Sequence, residues 1–280
     1  VFWFAGGFAL AVSSIGASSR PPTVLSAYVS VVDSHQRPID GLGAGDFVVR
    51  VDGTDASVVD ARRATTPIAL AITIDTDIRD ALAAREALRA VIDRVRDELG
   101  TSRVGLTRYD FGVTLDDVAL AAGSLITQFD RQSTDGVELL PGVIGSAKIL
   151  AAEASDRRAV LAISRADWVN PLQEGPFAKD VIGALRQSHS SFWSVAITPP
   201  NDRGDTMSEQ IISLSSLMTG GRVEAILDKA ALKPAVDRMI TTVIAQYVLT
   251  YRLPANFSKG DLRVGVRRDG ASVRAPAWAK

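Results

Sequence analysis

Apolar and polar positions follow two different periods along the chain, and the order of those periods predicts three zones. Residues 23–64 carry short β-branched runs. Val24–Val32 is apolar with partial alternation, Phe47–Val51 alternates cleanly, and 56–61 forms a third run. Turn chemistry separates them at 33–38, at 40–45 and at Asp52-Gly53. From Thr66 the texture changes. Residues 68–74 (IALAITI) are almost wholly apolar, as a strand covered on both faces must be. Over 80–99, Leu88, Val91, Ile92, Val95 and Leu99 share one helical stripe, and Gly100 follows as a stop. Residues 103–109 and 113–120 read as a strand pair, 139–154 as a helix and 158–164 as another buried strand. A helix at 177–187, a strand at 191–198 and helices at 208–217 and 230–244 follow, the last broken near its start by Pro234. Strands alternating with helices at this spacing predict a parallel-type α/β sheet. The final zone returns to strands at 246–253, 262–267 and 272–277.

Both strand groups are too short to stand alone, because isolated hairpins are marginal in water. They are therefore expected to pool into one small antiparallel β module, with the α/β domain inserted between its halves. The expected division is 1–19 as an apolar leader, 20–65 and 246–280 as the two parts of the β module, and 66–245 as the α/β domain.

The leader changes the picture of location. Residues 1–17 (VFWFAGGFALAVSSIGA) carry no charge, and Ala17, Ser18 and Ser19 follow before Arg20, Pro21 and Pro22. This is the pattern of a secretory signal with a small-residue cleavage zone, although a basic start and a Met are missing. The expectation is a secreted or periplasmic protein with a mature start near Ser18. The alternative is a membrane anchor formed by residues 1–17, at the lower edge of spanning length.

Composition removes most enzyme classes. The 280 residues are 46% hydrophobic and 22% charged, within the globular range. A net charge of −1 argues against a dedicated nucleic-acid binder. Zero cysteines exclude disulfides, thiolate metal sites and a cysteine nucleophile. His35 and His189 lie far apart in sequence, leaving little room for a zinc hydrolase or a Ser-His-Asp triad.

Several stretches, in their order, carry a resemblance. They are 29–47 (VSVVDSHQRPIDGLGAGDF), the Asp52-Gly53 hairpin, a first core strand from Pro67 to Asp75, the Gly220-Gly221-Arg222 turn, and 246–254 (QYVLTYRLP). The closing 264–273 belongs with them. Together they resemble the von Willebrand factor type A (vWA) related domain common in exported proteins of Acidobacteria, over nearly the whole mature chain. The resemblance implies a vWA-like, Rossmann-like sheet flanked by helices, and a site above that sheet for a metal-ion-dependent adhesion centre. Such a centre holds Mg2+ through oxygen ligands.

Here the resemblance also implies that the centre is degenerate. Its five positions fall on Asp75, Asp77, Arg79, Val137 and Arg165, so two ligands become guanidinium groups. No cofactor is expected, and no metal. Arg165 is expected to take the ion's place and pair with Asp75 and Asp77. Asp77, Arg79, Arg165 and Trp168 are the candidate partner-binding residues. Asp75 with Asp77 also has the look of an acid/base pair, but two nearby arginines favour ionised carboxylates. Three functions compete: a non-catalytic module binding a protein partner at the C-terminal edge of the sheet, a metal-dependent adhesion domain, and a structural subunit of an envelope assembly. Gly41, Gly43 and Gly45 precede a strand rather than a helix, which excludes a phosphate loop.

Overall fold

The computed structural model describes residues 23–75, 81–108, 110, 112–132, 138–165, 178–198, 207–253 and 260–279. The leader at 1–19 lies outside them. Two six-stranded sheets carry the chain. The first combines β1 (Val24–Val32), β2 (Phe47–Val51) and β3 (Thr54–Arg63) with three strands from the far end of the sequence. These are β10 (Tyr247–Arg252), β11 (Leu262–Val266) and β12 (Ser272–Arg274). Their order is β11-β2-β3-β10-β1-β12, and every pair is antiparallel. The late strand β10 thus sits between the early strands β3 and β1. Neither end of the chain completes this sheet alone. Its two edges also meet: the Leu262 N–H donates to the Ala277 carbonyl at 3.0 Å, and the Ala279 N–H to the Gly260 carbonyl at 3.0 Å.

Alternation explains why this sheet has an inside. Val29, Val31, Val49, Val51, Leu249 and Tyr251 lie at period-2 positions and share one core. Tyr247 ties the 39–42 turn to that core. Its hydroxyl donates to the Ile39 carbonyl at 3.0 Å and accepts from the Leu42 N–H at 3.2 Å.

The second sheet has the order β6-β5-β4-β7-β8-β9, built from β4 (Ala69–Ile74), β5 (Arg103–Leu106), β6 (Asp116–Asp117), β7 (Arg158–Arg165), β8 (Ser190–Ile197) and β9 (Val223–Ile226). All pairs are parallel except β5 with β6. Helices cover both faces: α1 (Ala81–Glu98), α2 (Val118–Gln132) and α6 (Leu232–Ile244) on one, α3 (Leu139–Ala151), α4 (Ala178–Ser188) and α5 (Met207–Met218) on the other. The expected architecture, a parallel-type α/β sheet flanked by helices and inserted in an antiparallel module built from both chain ends, is the observed one.

Three expectations for single elements change. Residues 113–120 are not one strand: Val113 makes an isolated antiparallel bridge to Thr107, Asp116–Asp117 pairs with β5, and α2 begins at Val118. Val118, Ala121, Leu125 and Phe129 are buried at helical spacing, a stripe that the alternation just before it hides. The short edge strand β9 was not anticipated, because Val-Glu-Ala-Ile carries no turn signal of its own. Pro234 does not break α6. It stands in the first turn, where a missing N–H leaves no bond unmade.

Arg157 joins the two parts. It precedes β7 by one residue and is 1% exposed, yet every guanidinium nitrogen has a partner. Nη1 donates to the carbonyls of Ala64 (3.3 Å), at the end of the β module, and of Thr66 (3.2 Å), in the link that leads from it to β4. Nη2 donates to the Val243 and Ile244 carbonyls at the C-terminal end of α6, where the helix dipole favours a cation. The Gln246 amide oxygen accepts from Nε at 3.3 Å, and the Tyr28 ring lies 5.9 Å from the guanidinium carbon. Burial lowers its pKa to about 10, which still leaves it charged at neutral pH. The β module therefore packs beneath the edge where the parallel strands begin. Among the described residues no helix is long and apolar enough to cross a membrane.

Candidate functional site

At the opposite edge, β4, β7 and β8 end side by side, with Ile74 in register with Ile163 and Arg165 with Ile197. Asp75 follows β4 directly, and its N–H donates to the Ile163 carbonyl at 2.9 Å. It is only 8% exposed, a buried carboxylate at this edge. Period 2 places it on the same face of β4 as Thr73, Ala71 and Ala69, the face that α3 covers.

Directly beneath it is a buried hydroxyl cluster. Thr73 Oγ1 lies 2.8 Å from Thr107 Oγ1 and 3.3 Å from Ser146 Oγ, and the last two are 2.8 Å apart. The Thr107 hydroxyl also reaches the Ile72 carbonyl at 3.1 Å. Three hydroxyls from β4, from the residue after β5 and from α3 thus fix the base of the edge. Sequence reading missed this cluster. Its signal was a single Thr inside the aliphatic run 68–74, facing Ser146 on a helix that is otherwise mostly apolar.

Of the residues expected at this site, the structure places Asp75 in full and Arg165 as the last residue of β7. Asp77, Arg79, Val137, Trp168 and the Arg165 side chain lie outside the described residues. Their grouping, and the pairing of Arg165 with Asp75, remain expectations. Donor chemistry can still be tested. A set of two carboxylates, a valine and two arginines does not suit a hard dication, which needs several oxygen ligands. Among the described residues no three His, Cys, Asp or Glu side chains gather into a metal-binding group.

No family model matches the chain, and no curated protein matches it. Solved structures do. The pilus adhesin SpaC from Lactobacillus rhamnosus GG, in its open conformation, shares 11% identity over 90% of this chain and 48% of its own, with a TM-score of 0.49. A von Willebrand factor type A structure from Catenulispora acidiphila shares 11% identity, covering 92% and 74% of the two chains, with a TM-score of 0.46. The PilB minor pilin from Streptococcus sanguinis matches 65% of this chain and 62% of its own, at 9% identity and a TM-score of 0.46. The chain spans about half the length of the pilus adhesin it matches. At such identities the likeness concerns the course of the chain and says nothing about activity.

Proposed function

We propose that the protein is a non-catalytic interaction module of the vWA-related type, working outside the cytoplasm. Its protein partner would bind at the C-terminal edge of the α/β sheet without a metal ion. The observation that carries this reading is the placement of the β module. It takes the edge where β4, β7 and β8 begin, which leaves Asp75 and the ends of β7 and β8 at the edge away from the module. Ligands of open α/β sheets gather at that second edge. The hydroxyl cluster makes a rigid base there, and Asp75 supplies a fixed charge. Asp77, Arg79, Arg165 and Trp168 are the side chains proposed to meet the partner. Arg165 fills the place of the ion and pairs with Asp75.

The test combines a pull-down from envelope extract with calorimetry. The expected result is a partner retained equally in Mg2+ and in EDTA, and lost with Arg79→Ala or Trp168→Ala. Arg165→Ala lowers the melting temperature more than an ordinary surface change, because it leaves the buried Asp75 without its counter-charge. A wild-type melting temperature that rises with Mg2+ and saturates at one ion per chain would overturn the metal-free reading.

A further inference from the structure

A cleft of about 570 Å3 opens where the β module meets α5, β9 and α6. It is three strands away from β4, which runs into Asp75. The cleft wraps the free side of β9. The Ser194 N–H donates to the Arg222 carbonyl at 2.9 Å and the Thr198 N–H to the Ile226 carbonyl at 2.8 Å. Parallel register turns alternate residues toward the neighbouring strand, so the N–H and C=O of Val223 and Ala225 point away from β8. Among the described residues no strand pairs them.

Three arginines surround this edge. Arg222 donates to the Gln36 amide oxygen at 3.1 Å and to Glu224. Arg238, from α6, also grips Glu224, with its Nε at 3.1 Å. Arg274, at the end of β12, reaches the same Gln36 oxygen at 3.4 Å, and its buried Nε finds no partner among the described residues. Glu224 is the one carboxylate among the described lining, so three cations face one anion there, an excess of two positive charges. Burial, then the like charges of Arg274 and Arg238, lower the Arg222 pKa to about 10. Gln36 is held in place by its turn: it has φ 62°, and the Asp33 carboxylate accepts from the His35 and Arg37 N–H groups at 2.8 and 2.9 Å. Leu217, 68% exposed, lines the same cleft.

We propose that this cleft is a second docking surface, taking an extended acidic segment of a partner protein as an added strand on β9. The segment's carboxylates would lie against Arg222, Arg238 and Arg274. An unpaired edge recruits a strand through its main chain, and side-chain chemistry then selects which strand. The positive excess closes the edge to a second copy of itself and opens it to a segment of opposite sign. A small anion would satisfy the arginines but would leave Val223, Ala225 and Leu217 without a role.

Blocked seven-residue peptides in which glutamate or aspartate alternates with valine, in both registers, serve as the probe. Fluorescence anisotropy with the full chain measures affinity, and hydrogen exchange reads the Val223 and Ala225 amides. The expected result is binding by at least one acidic peptide, protection of both amides, and binding about tenfold weaker with Arg274→Gln or Arg238→Gln. The lysine-for-glutamate peptide should not bind. Arg79→Ala and Trp168→Ala should bind the acidic peptide as the wild type does, which separates this surface from the one at the C-terminal edge. Failure of every acidic peptide would overturn the proposal. So would binding indifferent to the arginine substitutions, or inorganic phosphate competing while the two amides stay unprotected.

Discussion

Tyr251 shows what burial does to one group. Its ring lies in the core of the antiparallel sheet, fully buried, and its hydroxyl has no partner among the described residues. Burial pushes the phenol up to about 12 from an ordinary 10. The unfolded chain therefore releases this proton first, so the stability tied to Tyr251 is complete below pH 10 and is lost between pH 10 and about 12. Arg157 and Arg222, both lowered to about 10, act with the opposite sign in the same range, since the unfolded chain holds their protons longer. Comparison with Tyr251→Phe cancels their effect. At pH 7 the variant should be within about 1 kcal/mol of the wild type, or more stable, because it removes a polar atom that folding leaves unpaired. Above pH 10 it should lose less stability than the wild type. Denaturant titrations at pH 7, 10 and 11 check both, and a steeper alkaline loss in the variant would contradict the assignment.

Between elements, glycine marks the closest approaches. The turn from α5 to β9 carries Gly220 at φ 76°, and a Cβ there would meet the Ala275 backbone at 2.6 Å. A Cβ on Gly221 would lie 1.8 Å from the Phe192 carbonyl oxygen, a rigid strand atom. Gly221→Ala should therefore cost about 3 kcal/mol or more, because neither backbone can yield. Gly183→Ala makes the contrast. It lies within α4 with nothing inside 4 Å of its would-be Cβ, and should stabilise the chain by about 0.5–1 kcal/mol through helix propensity. Thermal melts of the two variants should move in opposite directions.

The same turn shows what the sequence made legible. Gly220-Gly221-Arg222 stood out as a motif, but its purpose is tertiary: it lets the end of the β module dock against α5 and aims Arg222 into the junction cleft. Strands with strong alternation, such as Phe47–Val51, and two-sided apolar runs such as Ala69–Ile74 were readable because burial acts on them locally. The start of α2 was not, since Val113 and Leu115 alternate into the helical stripe that begins at Val118. At the candidate site Asp75 was readable from its place after a buried strand. The hydroxyl cluster beneath it was not, because Thr73, Thr107 and Ser146 come from three distant stretches and meet only through packing. The arginine cleft was hidden for the same reason. Gln36, Arg222 and Arg274 are brought together by the way the two ends of the chain share one sheet.

For the whole molecule that sharing has a thermodynamic consequence. The core of the antiparallel sheet is separate from the two cores of the α/β sheet, so only the junction couples their stabilities. Arg157 spans it with bonds to Ala64 and Thr66 on one side and to the end of α6 on the other. The Ala277 N–H donates to the Met218 carbonyl at 2.8 Å, and the Arg186 guanidinium lies 5.5 Å from the Trp278 ring. The chain also enters and leaves the α/β unit through this same region, so melting the β module frees both ends of the inserted domain. These ties predict one calorimetric transition, with equal calorimetric and van't Hoff enthalpies. Arg157→Met should lower stability by about 3 kcal/mol or more, because it strands buried carbonyls in both units at once. As the main shared tie is then gone, the single transition should broaden or split, the β module melting first. Two resolved transitions in the wild type would show that the junction does not couple the sheets. A sharp single transition in Arg157→Met, shifted without broadening, would place the coupling in the chain path and the Trp278 contact instead.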